Sequence, residues 1–404
     1  MTKDGEDDRS RYEQPVALLR AGRFTMGEEG VGPTVDERVR NTTLGVSVRT
    51  RIAIAVLVLS APVLVAARPA TAPPQCYGGP GGIQPIQIEV SEEVTSGPTV
   101  ATTTATGRYA VPAEPPTGLV VFAHGYGHDS SSWEQHILDL VQRSGVVAVA
   151  MDYRGTYTET VGAEQLVRGW RVAEGAADSI AIARTFQQVC GVDTIALFGV
   201  SMGGNTGGLA VAAQPTGTDG LPLFDAYFHV EGASNVIETW AGATVLAPAN
   251  AFAARAAQDI EAQMGGTFLE SSGTYLERTV VNRVADIAGA GLQGVYLIHG
   301  VEDGLVPYNQ AVEFDALLRA NGVTTEFVTV GTHGTDSEAG TTITGYGGVD
   351  SPLTGHASEA SQTHIIMRTA KDRLVSWFAG TVVTCSHGLL DGETFIAVQV
   401  PTVC

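Results

Sequence analysis

The sequence predicts an α/β protein built on a mostly parallel sheet with helices on both faces. Three observations carry this. Apolar runs of strand length, such as Leu119–Ala123, are continuous rather than alternating, the mark of strands buried on both faces. Amphipathic segments alternate with them along the chain, which is the order of a parallel sheet. Residues 194–208 read as a buried strand running through Gly199-Val200-Ser201-Met202-Gly203 into a small-residue helix. In that context the G-x-S-x-G pattern is a strained turn that lifts a serine hydroxyl above the end of a sheet.

Composition sets the outer bounds. The 404 residues are 44% hydrophobic and 16% charged, enough for a sizeable core and too apolar for a disordered chain. A formal charge of -20 argues against nucleic acid and anionic membrane surfaces as partners.

Residues 1–72 read as leader and signal rather than fold. The first 48 are polar and without hydrophobic period. Arg49 and Arg51 then precede the apolar run 52–67, the n-region and h-region of a secretory signal, with small residues at Ala70-Thr71-Ala72 and a rival cleavage site at Val65-Ala66-Ala67. Signals normally begin near residue 1, so the true start is expected further in, at Met26, Val46 or Val48. The run is short for a bilayer span, so export is expected, with a retained N-terminal anchor as the other reading and no stable span after cleavage.

Export alters how the cysteines are read. Cys76, Cys190, Cys385 and Cys404 all follow the signal, an even number in an oxidising compartment. Four cysteines allow three pairings. Cys385 with Cys404 is favoured, because it would staple an extension in which Asp391-Gly392 reads as a hairpin turn; Cys76 with Cys190 then remains. No C-x-x-C occurs, and neither a metal nor an organic cofactor is expected.

Residues 83–111 show β-branched alternation and predict two or three antiparallel strands before a Pro-rich turn at 112–116. The alternating region follows. Strands are expected at 119–123, 146–151, 194–200, 226–230, 295–298 and 326–330. Helices are expected at 134–144, 173–190, 309–321 and 364–378, with Gly145 and Gly322 as stops. Little strand character appears between 232 and 291, which reads as a helical lid; Trp240, Phe252, Phe268 and Tyr275 are the expected walls of an acyl or alcohol pocket. The catalytic domain is therefore taken as 73–380, followed by a C-terminal β extension at 381–404.

On such a sheet, function gathers at the carboxyl ends of the strands. Ser201 is the candidate nucleophile. His124-Gly125-Tyr126-Gly127 follows the first buried strand, where the Tyr126 N–H can face an oxyanion, and the Met202 N–H supplies a second donor. His124 itself reads as a loop-holding histidine. A serine needs a base, and the base an orienting carboxylate. Asp303 lies just past a buried strand in His299-Gly300-Val301-Glu302-Asp303-Gly304 and is the preferred acid, with Glu302 and Glu231 as weaker rivals; a turn aspartate is the competing reading. Two histidines compete as base. Loop length after the strand 326–330 favours His333, and placement before the last amphipathic helix favours His356.

These residues resemble a family. The order Ser201, Asp303, histidine, with an HG loop upstream and GVSMGG at the elbow, looks like the α/β-hydrolase superfamily over roughly residues 118–380. HGYG, Asp152-Tyr153-Arg154-Gly155 and HGVEDGLVP are similar to dienelactone-hydrolase and prolyl-oligopeptidase-like members. The resemblance implies acyl transfer to Ser201 and hydrolysis of an acyl-enzyme. The chain departs from the simple pattern in the insertion between His333 and His356 and in its Cys-stapled tail. The expected protein is a secreted serine hydrolase acting on a small-molecule or lipid-like carboxylic ester. A serine peptidase and a non-catalytic hydrolase-fold binding protein are the alternatives.

Overall fold

The computed structural model describes residues 73–79, 81–93, 100–161, 164–332, 356–391 and 394–398, all of them in one compact unit. The expected leader and signal, His333 and Cys404 lie outside the described residues.

Strands β1 (Gln84–Glu93) and β2 (Val100–Ala110) form an antiparallel pair. Ile86, Ile88 and Val90 are buried while Gln87 and Glu89 are exposed, the alternation of a sheet with one wet face. Next come β3 (Leu119–Ala123), helix α1 (Glu134–Ser144) and β4 (Val147–Asp152). Gly145 stops α1 in the left-handed region at φ 63°, and Ile137 and Leu140 on its inner face are fully buried. All five side chains of β3 are fully buried, and burying each large apolar one contributes about 1.5–3 kcal/mol.

A hairpin absent from the sequence reading follows, β5 (Tyr157–Val161) and β6 (Glu164–Arg168), a separate two-stranded sheet. Its polar, mostly exposed strands have no apolar face by which to be found. Helix α2 (Val172–Cys190) leads to β7 (Ile195–Val200), α3 (Met202–Ala212) and β8 (Ala226–Val230). Three consecutive helices then interrupt the alternation: α4 (Val236–Leu246), α5 (Ala251–Met264) and α6 (Phe268–Arg278). The short α7 (Val284–Gly289), β9 (Gly294–Gly300), α8 (Asn309–Ala320) and β10 (Thr325–Thr332) resume it. Helix α9 (Ile365–Phe378) precedes β11 (Ser386–Asp391) and β12 (Thr394–Val398).

Ten strands make one sheet in the order β1-β2-β4-β3-β7-β8-β9-β10-β11-β12. From β4 to β11 every neighbouring pair is parallel. One apolar cluster gathers Phe186, Leu197 and Phe314, and another gathers Phe122, Phe198 and Trp377, so alternate residues of the strands feed two cores. A third cluster joins Tyr126 and Met202, just past β3 and β7, to Ile260 and Tyr275 of the helical insertion. The chain leaves β3 for β4 on one side and takes up β7 on the other, so a crevice opens at the carboxyl ends of β3 and β7. Cys76 and Cys190 are joined by a disulfide with Cα atoms 5.4 Å apart, tying the chain ahead of β1 to the end of α2. Among the described residues, no helix is long and apolar enough to cross a membrane.

Candidate active site

Ser201 occupies the turn between β7 and α3 with φ 57° and ψ -125°, a left-handed conformation that a serine rarely adopts. The turn is closed by contact. A Cβ on Gly199 would lie 2.1 Å from Gly203 O, and one on Gly203 would lie 2.0 Å from Ala123 O. Both glycines are therefore required for the helix to pass this close to its neighbours. The Ser201 N–H donates to Val230 O at 3.1 Å, and Ser201 O accepts from Ala233 N–H at 3.0 Å, so the turn is pinned to β8. Met202 opens α3, where backbone N–H groups have no acceptor within the helix.

His356 and Asp303 meet across the sheet. The His356 Nδ1–H donates to Asp303 Oδ2 at 2.7 Å. Asp303 Oδ1 accepts from the N–H groups of Leu305 and Val306, both at 2.8 Å. The turn-building role and the histidine-facing role thus fall on different oxygens of one carboxylate. His299, at the end of β9, also approaches Asp303 Oδ2 through Nε2 at 3.2 Å. His356 Nε2 is buried and has no hydrogen-bond partner in this structure. It is not yet bonded to Ser201, a looseness common in substrate-free sites that tightens around substrate.

Two further carboxylates surround this histidine. Glu231 Oε2 accepts from Ala357 N–H at 2.7 Å and lies 3.6 Å from His356 Nδ1. Glu359 accepts a short hydrogen bond from Gly125 N–H in the HGYG loop. A Cβ on Gly125 would meet Glu359 Oε2 at 3.0 Å and Ser201 Cβ at 3.2 Å, so the loop, the serine and this acid are in direct contact. Gly125 N–H is thus committed to Glu359.

The electrostatics follow from burial and charge. Burial pushes His356 down, but the charge and hydrogen bond of Asp303, helped by Glu231 and Glu359, outweigh it and raise the imidazole to about 9. Burial would raise Asp303, yet His356 and His299 reverse this and hold it well below the usual carboxylate range. Glu231 is pushed up to about 7, first by burial and then by the charge of Asp303. Glu231, Asp303 and His356 bring one ligating atom each within 4.8 Å, as a cation site would. The 2.7 Å contact from Nδ1 to the carboxylate is a hydrogen bond, with a proton between the two atoms.

Several expectations are placed differently. His124 Nδ1–H donates to its neighbour Gly125 O at 2.9 Å and the ring stacks on Tyr153 with centroids 3.7 Å apart, while burial lowers it to about 4. It holds the loop. Glu302 is exposed, whereas Glu231 is buried and approaches His356. Trp240, Phe268 and Tyr275 do not wall the pocket. Both Trp240 and Phe268 lie against Tyr275, each with ring centroids 5.6 Å from it, and form the interior of the helical insertion. Of the four expected walls, Phe252 lines the cavity of about 110 Å³ at Ser201, with Tyr126, Trp170, Leu246 and Leu305. Glu359 was missed although it stands three residues past His356; no local pattern marks a carboxylate that binds a loop 234 residues away.

Residues 114–272 match a family model described as serine aminopeptidase, S33. The strand order, the strained serine and this match agree. The chain has an α/β-hydrolase fold. Solved structures similar to this α/β-hydrolase include an acylaminoacyl peptidase from Pyrococcus horikoshii, with 13% identity, TM-score 0.48, and 75% of this chain against 42% of that one. A puromycin-hydrolysing peptidase of Mycobacterium tuberculosis shares 18% identity, with TM-score 0.46 over 70% of this chain and 38% of the other. A thermostable esterase from Pseudomonas putida shares 16%, with TM-score 0.47 over 72% and 81%. This α/β-hydrolase spans less than half the length of the acylaminoacyl peptidase it matches. No curated protein matches it in sequence.

Proposed function

We propose that this α/β-hydrolase is an exported serine hydrolase that cleaves carboxylic esters bearing a small apolar group. The observation that carries the reading is the 2.7 Å His356–Asp303 hydrogen bond at the carboxyl ends of central strands, where a serine is also held at φ 57°. Ser201 Oγ attacks the ester carbonyl while His356 Nε2 takes its proton, and Asp303 keeps Nδ1 protonated and supports the imidazolium. The N–H groups of Met202 and Tyr126 stabilise the oxyanion. The alcohol leaves with the proton from His356, and water, activated by the same imidazole, hydrolyses the acyl-enzyme. No metal or organic cofactor enters these steps.

The cavity of about 110 Å³ has a mostly apolar lining, which suits a small apolar acyl or alcohol group. Helices α4 and α5 supply most of that wall and act as a lid. Export is supported by the charged and apolar run at 49–67 and by the Cys76–Cys190 disulfide, which suits an oxidising compartment.

A peptidase is the second reading. It is favoured by Glu238, whose carboxylate belongs to the otherwise apolar cavity lining and accepts from Asn309 Nδ2 at 3.0 Å. A carboxylate there suits a substrate ammonium group, in line with the aminopeptidase description of the matching family. Fluorophosphonate labelling of the purified protein, with Ser201→Ala, His356→Ala and His333→Ala, tests the mechanism. Labelling should vanish with Ser201 and His356 and persist without His333; no labelling of folded wild type indicates a binding protein. Short-chain esters turned over in preference to aminoacyl arylamides support the esterase, and the reverse preference, lost in Glu238→Gln, supports the peptidase.

A further inference from the structure

We infer that Glu231 is a second carboxylate serving the base, a positioning residue that holds the His356 segment and supports the imidazolium alongside Asp303. The inference rests on the serine-hydrolase reading above.

Its backbone is the first sign. Glu231 follows β8 with φ 43°, one of three non-glycine residues with positive φ among the described residues, beside Ser201 and Gln214. Strain at a non-glycine residue persists where the surroundings over-determine it, and such positions cluster at functional sites. The strained peptide also sits at a junction. Glu231 N–H donates to Ile298 O of β9 at 2.8 Å, and the preceding Val230 O accepts from Ser201 N–H. The Val230–Glu231 peptide therefore joins the nucleophile's turn to the strand that delivers Asp303.

The side chain completes the case. It is fully buried; Oε2 accepts from Ala357 N–H at 2.7 Å and stands 3.6 Å from His356 Nδ1, while Oε1 is buried with no hydrogen-bond partner. A merely structural acceptor for one N–H could be an amide, and a half-satisfied buried carboxylate is unfavourable unless a nearby cation compensates it. The charged and titratable groups around it are Asp303 and His299 from β9 and its following loop, and His356 from the segment before α9, which Glu359 also faces. The 3.6 Å approach makes the His356 imidazolium the cation available for compensation.

Glu231→Gln keeps an acceptor for Ala357 N–H and removes the charge. Glu231→Gly removes the whole side chain and suits the positive φ, so it folds even if the amide does not. With a short-chain ester, both variants should show the acid limb of kcat/KM moved to lower pH by about one unit, because the imidazolium has lost a carboxylate, and kcat lowered by about tenfold. A limb that stays in place with kcat unchanged in a folded variant overturns the inference. The parent reading fails separately, through absence of labelling or turnover in the wild type. As a further arm, Asp303→Asn combined with Glu231→Gly should be at least about tenfold slower than Asp303→Asn alone; equal rates also overturn it.

Discussion

Asp303 and His356 are separated by 53 positions in sequence and by 2.7 Å in the fold. The distance is set by two different anchors. Asp303 is fixed by its own turn, with Leu305 and Val306 N–H groups on Oδ1, and His356 by Ala357 N–H on Glu231. Each partner is thus held by contacts of its own as well as by the other.

Asp303→Asn should retain the fold's turn through its amide oxygen but present the wrong hydrogen-bonding partner to Nδ1. A fall in kcat of about 10⁴-fold is expected, the scale of losing tautomer control in a serine triad. Glu302→Gln should stay within about twofold, since Glu302 is exposed. Steady-state kinetics on a short-chain ester check both; equal losses in the two variants would reassign the acid.

Activity and the pair's contribution to stability should diverge with pH. His356 is raised from 6.5 to about 9, so its stabilising contribution is complete below pH 6.5 and is lost as pH rises through about 9. Asp303 is depressed below its ordinary 3.8, so its contribution is present above that value and is lost as pH falls through its lower, folded-state value. The base works neutral, and kcat/KM should therefore rise through the range in which the histidine contribution to stability declines. Parallel pH profiles of kcat/KM and of urea midpoint test this; an acid limb centred at or below pH 6.5 would contradict the raised imidazole, with the apparent values belonging to the coupled group.

Gly242 of α4 lines the cavity, and a Cβ there would meet nothing within 4 Å. Gly242→Leu should fill that space without disturbing the helix. Preference for acetyl over longer acyl esters should rise by about tenfold or more, the scale of one or two methylenes in an apolar pocket. An unchanged chain-length profile would place the acyl group elsewhere.

The Cys76–Cys190 bridge spans 114 positions. Cys190→Ser with Cys76→Ser should lower unfolding free energy by about 2–5 kcal/mol through the freedom returned to the unfolded chain. The bridge lies at the end of α2, and α2 leads into the amino end of β7, opposite the site. Turnover by the folded fraction should therefore be unchanged, as denaturant titration and kinetics on the same sample would show.

The sequence by itself determined most of the elements and the tight turn at Ser201. Helix 134–144 and strands 119–123 and 226–230 have the limits their patterns predict, because periodicity and a glycine stop are local properties. Ser201 was legible for the same reason: its turn needs glycines two positions either side, and both are adjacent in the chain. The β5–β6 hairpin was not, since exposed polar strands leave no apolar signature. The tertiary structure decided the partners. It brings His356 to Asp303, adds Glu231 and Glu359 around the imidazole, and turns Trp240, Phe268 and Tyr275 inward upon one another. Contacts of that kind depend on strand order and on where long connections return. Neither is written in the spacing of residues along the chain.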